Sequence, residues 1–327
     1  MSFSRRTMLK MMAALPLTTS RAFAAGSDSF FERPVQIMMG YAAGGTADIS
    51  WRTIAQELSK RIGQPIVIQN RPGAGGIVGS QAALQAPADG HTFVLAASGN
   101  FGITPVLFNS LPFDPVNDFV MVSQAVAFDY VFAVNADSEF KDIADVIAFA
   151  KANPGKLSIG TVQVGSAQFF AAELFKSMSG IDAVTVPYRN SGDVISAVRS
   201  GDVQLMVETI APVVAQIQAG AIRALGVAGK ERFPALPDVK PIAESGLPGY
   251  EVTAWNGLAA AKGTPARAIE EMNKALKEVL AIPEIQARFI ELGMVAQHST
   301  PDELRAKQLA EIERWGKVME ETNLPKQ

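Results

Sequence analysis

The chain has 327 residues, 48% of them hydrophobic and 19% charged, and a formal net charge of −3. It contains no cysteine and two histidines, His91 and His298. Disulfides, thiolate chemistry and cysteine-based metal centres are therefore excluded, and a histidine metal site or a Ser-His-Asp triad has little raw material.

In chain order, residues 1–24 read as an export signal. Ser4-Arg5-Arg6-Thr7-Met8-Leu9-Lys10 is a twin-arginine pattern, with Met8 where Phe is more usual. An apolar stretch over residues 11–17 follows, and Ala22-Phe23-Ala24 forms an A-x-A cleavage site. The stretch falls well short of the ~20 residues that a bilayer-spanning helix needs. Cleavage after Ala24 is expected. Taking Arg5, Arg6, Lys10 and Arg21 from 29 basic residues leaves 25 against 32 acidic ones, a balance of −7. An acidic surface without basic runs argues against nucleic acid and anionic membranes as partners.

Residues 35–39 read as a strand, and MMGYAAGGTADIS (38–50) as its glycine-rich exit into a helix. No lysine follows Gly45, so this is not a P-loop, and the G-x-G-x-x-G spacing is absent as well. The layout still places backbone N–H groups at a helix N-terminus, where an anion is welcome. A helix over 48–62 puts Trp51, Ile54, Ala55, Leu58 and Ile62 on one face. Strands at 66–68 and 92–96 flank a Gly-rich turn and a small-residue helix. Two apolar runs, 119–126 and 130–134, read as extended.

A second α/β set follows. Helices are expected at 142–152, 168–178 and 194–200, and strands at 157–160, 183–186 and 205–208. The chain returns through 250–261 and ends mainly in helix. Strands alternating with helices predict parallel sheets with ligands at the strand carboxyl ends. Four exit loops, 41–48, 98–100, 161–167 and 188–193, are rich in Gly, Ser, Thr or Asn. Facing one another, they would hold a carboxylate through N–H groups, hydroxyls and helix dipoles. Taken singly, each also reads as a helix cap, with Thr46 or Asp48 capping one helix and Ser166 the next.

The ordered set YAAGGTADISWR (41–52), VIQNRPGAGGIVGSQAALQAPADGHTFVLA (67–96), LPFDPVNDF (111–119), AKANPGKLSIGT (150–161), VPYRNSGDVISAVRSGDV (186–203), ALPDVKPIAESGLPGYEVTAWNGLAAAKGTP (235–265) and ERWGKVM (313–319) resembles the solute-binding proteins of the tripartite tricarboxylate transporter family, also called Bug proteins. The resemblance implies a periplasmic, two-lobed α/β binding protein of type II-like form. Each lobe would be a mainly parallel sheet flanked by helices, with crossover strands between them. Residues 33–131 and 254–327 would form one lobe and 132–253 the other, with hinges near 132–135 and 250–254. The implied role is capture of a small, carboxylate-type ligand for membrane permease subunits, by a monomer with no cofactor and no catalysis. A ligand sensor with a membrane signalling partner is the alternative. A hydrolase or transferase fits less well, since there is no G-x-S-x-G elbow, and His91 reads as an exposed turn residue.

Tyr41 and Asn100, in the first and second exit loops, are candidate ligand contacts, and the family's grip maps onto Ala42, Gly44, Thr46 and Asp48 in the first loop. It continues with Thr161, Gly165, Ser166 and Ala167 in the third. Asp48 reads equally as a structural residue. Four positions depart from the family pattern. Phe169 stands where His is usual. Asn190 replaces a Gly and adds a donor and an acceptor to the cleft wall, and Asp193 replaces a Pro and reads as an N-cap. Glu208 replaces an Asp at the lip of the cleft. Arg189 would pair with a second carboxylate or lie on the surface. Phe101, Phe128, Tyr130 and Trp255 would supply apolar walls or core.

Overall fold

The computed structural model describes residues 29–164, 166–322 and 325–326. The expected export signal (1–24) and Gly165 lie outside the described residues. The first half runs β1 (Val35–Met39), α1 (Thr46–Ile62), β2 (Ile66–Asn70), α2 (Ile77–Leu84) and β3 (Thr92–Ala97). A wide helical turn at Ser98–Ile103 and the short α3 (Thr104–Leu107) lead to β4 (Phe119–Asn135). Then come α4 (Ile143–Ala152), β5 (Leu157–Val162), α5 (Ala167–Ser179), β6 (Ala183–Tyr188), α6 (Ser191–Ser200), β7 (Leu205–Thr209), α7 (Val214–Gln218) and β8 (Ile222–Val227). The chain returns along β9 (Thr253–Ala261) and closes with α8 (Ala266–Leu280), α9 (Pro283–Glu291), β10 (Val295–Ala296) and α10 (Pro301–Thr322).

Helix α1 forms because its apolar residues recur at helical spacing and are buried together. Trp51, Ile54, Leu58 and Ile62 are each at most 3% exposed, and each such side chain gains about 1.5–3 kcal/mol on leaving water. Gly63 ends the helix in the left-handed region at φ 72°. The Gly-rich turn before α2 has a packing reason: a Cβ on Gly40 would lie 2.4 Å from Gly76 Cα, and one on Gly79 would lie 2.4 Å from Gly40 N. Helix α2 therefore packs backbone against backbone at the exit of β1.

The strand order is β2-β1-β3-β9-β4-β7-β5-β6, with β8 and β10 also paired to β4. Strands β2, β1 and β3 are parallel, as are β6, β5 and β7. The sheets are nonetheless mixed, where the strand–helix alternation predicted mainly parallel ones. Strands β4 and β9 carry the chain between the halves without a helical crossover, and they pair antiparallel to their neighbours.

The two apolar runs expected at 119–126 and 130–134 are one strand. Ala127, Phe128 and Asp129 continue the ladder opposite Trp255, Ala254 and Thr253, so tertiary pairing overrides the polar interruption at Asp129. Just past Asp129 the partner changes: Tyr130 lies opposite Thr209 of β7, and Val131 opposite Val227 of β8. The register shifts between Met121 and Ser123 and between Gln124 and Val126, which adds twist along the strand. Strands β8 and β10 were not read from the sequence. The result is a two-lobed α/β fold in which β4 belongs to both sheets. Helix α10 reaches across to the other half, where Trp315 meets Phe170 of α5 edge-on at 5.0 Å.

His91 differs from expectation. It is 8% exposed and stacks on Phe30, with centroids 5.6 Å apart. Its apolar ring face is worth more inside than at the turn surface.

Candidate functional site

The exit loops of β1, β3, β5 and β6 border one cleft between the halves. Its cavity has a volume of about 80 Å³. A cavity of this size holds a few waters and suits a small metabolite.

The first wall is the N-terminus of α1. Gly45 is the N-cap, with extended backbone (φ −81°, ψ 171°) and no side chain to cap with. Ile49 N–H donates to Gly45 O at 2.9 Å, the first bond back into the helix. The N–H groups of Thr46, Ala47 and Asp48 thus have no intrahelical partner, and Gly45, Thr46 and Ala47 line the cleft. The expected caps are corrected here. Thr46 is the first helical residue, and its hydroxyl pairs at 2.5 Å with that of Thr209 on the other half. Asp48 is 5% exposed and is not among the residues that line the cleft. Its carboxylate accepts from Gly44 N (3.1 Å), from Arg52 Nε on both oxygens (2.9 Å) and from Asn70 Nδ2 (3.1 Å). Burial raises its pKa, but these donors outweigh it and hold the group below the usual carboxylate value. Asp48 braces the loop.

Two further helix N-termini reach the same cleft. Ser166 is the N-cap of α5, and its Oγ accepts from Phe169 N at 3.1 Å, as the cap reading expected. Ala167 and Gln168, in the first turn, line the cleft. For α6 the cap is Asn190, whose Oδ1 accepts from Asp193 N at 3.0 Å. Asp193 was expected to be this cap. It sits instead in the first turn, because the helix begins at Ser191. Asn190 lines the cleft, but its Nδ2 donates to Asp193 Oδ2, so both ends of its amide are already engaged.

Of the sequence-predicted residues, Tyr41, Ala42, Thr46, Ala167, Arg189 and Asn190 line the cleft together. Tyr41 lies over Gly99, where a Cβ would come within 2.6 Å of the phenol oxygen, and burial pushes its phenol well above the ordinary value. Arg189 is the only cationic side chain among the described lining residues. It sits at the rim, 91% exposed, with Nε 3.5 Å from Asp193 Oδ2. Gly44, exposed at φ 80°, shapes the turn.

Asn100, Thr161 and Glu208 are fully buried and lie behind the lining. Asn100 Oδ1 accepts from Ala97 N, and its Nδ2 donates to Ser80 Oγ and Leu95 O, which ties the second loop to the sheet. Thr161 Oγ1 donates to Val162 O. Glu208 was expected at the lip, but its strand is covered on both sides. Its Oε1 accepts from Gln168 Nε2 (2.9 Å), Thr209 N (2.7 Å) and Thr209 Oγ1 (3.0 Å). Burial raises its pKa, against those donors and the nearby Ser191 hydroxyl. Phe128, Tyr130 and Trp255 form an apolar wall of the cleft, while Phe101 is core.

The site reading from sequence missed Gln168, Ser191, Thr209 and Asn256, all of which line the cleft. Asn256 carried a usable signal, an amide inside an otherwise apolar strand (TAWNGLAAA). It is fully buried, and buried polar side chains call for a partner.

Residues 50–324 match the tripartite tricarboxylate transporter family receptor. The chain belongs to this family. Over 324 residues the receptor is 35% identical to a UPF0065 protein in the tcbD-tcbE intergenic region of Pseudomonas sp. strain P51, covering 99% of this chain and 96% of that one. Its fold matches periplasmic binding protein BugD at TM-score 0.86 and 28% identity, over 91% of this chain and 100% of that one. It matches an R. palustris protein solved with adipate at TM-score 0.86 and 30% identity, over 90% and 98% of the two chains. MatC from Rhodopseudomonas palustris, solved with bound malate, matches at 0.83 and 30%, over 88% and 99%. The receptor is thus a periplasmic solute-binding protein and not an enzyme. Among the described residues no helix is long and apolar enough to cross a membrane.

Proposed function

We propose that this receptor closes over a small carboxylate and delivers it to the membrane permease subunits of a tripartite tricarboxylate transporter. The observation that carries the reading is the convergence of three helix N-termini, those of α1, α5 and α6, on one cleft whose only lining cation among the described residues is the rim residue Arg189. Such a site suits one carboxylate held by N–H groups and helix dipoles. The relatives solved with adipate and malate support the ligand class. Ala42, Thr46 and Ala167 border this grip, Gly165 is assigned to it from the sequence, and Tyr41 backs it.

Closure would swing residues 33–131 with 254–327 against 132–253 about 132–135 and 250–254, next to the point where β4 changes partner. The Thr46–Thr209 hydroxyl pair then bridges the halves. A ligand shifts this balance only through its greater affinity for the closed form. Delivery to the exported compartment would follow the twin-arginine signal at residues 4–10.

A thermal-shift screen of the mature receptor with mono-, di- and tricarboxylates, amino acids and neutral amides tests the reading. A ligand at 100 times its Kd adds about 2.7 kcal/mol, a clear rise in Tm. Stabilisation by a carboxylate supports the reading, and silence across the carboxylates refutes it.

A further inference from the structure

The cleft carries two hydrogen-bond acceptors, one on each wall, whose orientation the fold dictates. On the β9 wall, Ser50 Oγ donates to Ala47 O at 2.9 Å, so its lone pairs face Asn256 Nδ2 at 3.2 Å. A hydroxyl has one proton to give. The amide of Asn256 must therefore turn its NH₂ to Ser50 and its Oδ1 away. That oxygen is buried, belongs to a cleft-lining residue, and has no hydrogen-bond partner among the described residues.

On the facing wall, Glu208 imposes the same polarity on Gln168. Its Oε1 is an acceptor that collects Gln168 Nε2, Thr209 N and Thr209 Oγ1. The Gln168 amide is thereby assigned by chemistry: its nitrogen faces Glu208, which leaves its oxygen on the side away from Glu208, on a residue that lines the cleft. Where Thr209 gives its proton to Glu208, Thr46 is the donor in the 2.5 Å hydroxyl pair. Asn256 and Gln168 thus each hand an amide proton inward, to Ser50 and to Glu208.

We infer that the ligand carries, beside its carboxylate, a hydrogen-bond-donating group read by Asn256 Oδ1 and Gln168 Oε1, so that it is an amide, amino or hydroxy monocarboxylate. Ser50 and Glu208 are the positioning residues that orient these two acceptors. A second carboxylate would place acceptor against acceptor, with Arg189, the one cation among the described lining residues, out at the rim. The inference rests on the capture reading above and narrows its ligand class.

The test is isothermal titration of the mature receptor with matched monocarboxylates of graded chain length. Each length is offered with a terminal amide, ammonium, hydroxyl, methyl or second carboxylate. At the best length, a donor-bearing member is expected to bind about tenfold or more tighter than both the methyl and the dicarboxylate members, because a site built to accept a hydrogen bond rejects analogues that lack the donor. Gln168→Met, at a half-buried position, removes one acceptor and should shrink that ratio. Glu208→Gln frees the Gln168 amide to turn and should shrink it too, with the Gln168 variant serving as the readout if Glu208→Gln does not fold. Equal or tighter binding of the dicarboxylate or methyl member, or an unchanged ratio in Gln168→Met, overturns the inference and leaves carboxylate capture standing. No binding by any member overturns both.

Discussion

Gly45→Val separates the anion grip from the fold. The backbone at Gly45 is extended at φ −81° and ψ 171°, which a β-branched residue adopts without strain. A Cβ there would stand 3.6 Å from Ala42 O and 3.8 Å from Ser191 Oγ, both ordinary contacts. The fold loses only the small advantage of Gly over Val as an N-cap, about 1 kcal/mol or less. The valine methyl groups, however, enter the gap between the first turn of α1 and Ser191 on the opposite wall. A carboxylate seated there would lose its approach to the N–H groups of Thr46 and Ala47. Hydrogen bonds to a charged group contribute about 1.5–3 kcal/mol each, so losing two costs about 3–6 kcal/mol, or roughly two to four decades in Kd. Titration calorimetry with the best carboxylate from the screen measures this, and urea unfolding of the ligand-free variant checks the fold. A stable variant whose Kd stays within about threefold of the parent's would show that the α1 N-terminus does not grip the ligand.

Ser166→Ala removes the bond to Phe169 N and should cost about 1 kcal/mol of ligand-free stability in urea unfolding, with Ser166→Thr recovering most of it. Glu311 supplies a pH test: burial pushes its carboxyl from 4.5 up to about 7, opposed by Trp255, Lys307, Arg314 and Ser98. The folded state then holds a proton that the unfolded chain releases, so this group's contribution falls as pH rises from 4.5 and is fully lost above about 7, by up to about 3 kcal/mol. Glu311→Gln should accordingly raise Tm at pH 8 and leave it nearly unchanged at pH 4; equal effects at both would refute the burial argument. Asp48 has the opposite sign. Its lowered pKa contributes stability above 3.8 that is lost as pH falls through the folded value, so Asp48→Asn should flatten the acid limb of a stability–pH curve. Intact mass of the exported protein should begin at Ala25, and replacing Arg5 and Arg6 by lysines should block export; retention of Met1 would refute the signal reading.

Much of this protein was legible before folding because it rests on local physics. The stripe of Trp51, Ile54, Leu58 and Ile62 follows from a 3.6-residue period. The Gly-rich exit of β1 and the Ser166 cap follow from backbone chemistry within a few residues. These are enough to predict alternating strands and helices with polar loops at the strand ends, and hence an anion-friendly cleft.

Which way each loop side chain turns was settled by partners far along the chain. Asn100 turns inward to hold Ala97 and Leu95, so its amide never reaches the cleft. Glu208 lies buried behind Gln168, which precedes it by 40 residues. Thr46 meets Thr209 across 163 residues, and Asn256 meets Ser50 across 206. The polar interruption at Asp129 breaks an apolar run by pattern, yet β4 continues through it, paired with β9 up to Asp129 and with β7 and β8 beyond. A loop sequence specifies which donors and acceptors are present. Their direction depends on which buried groups must be satisfied once the two halves meet, because an unpaired polar atom inside costs more than a turned side chain.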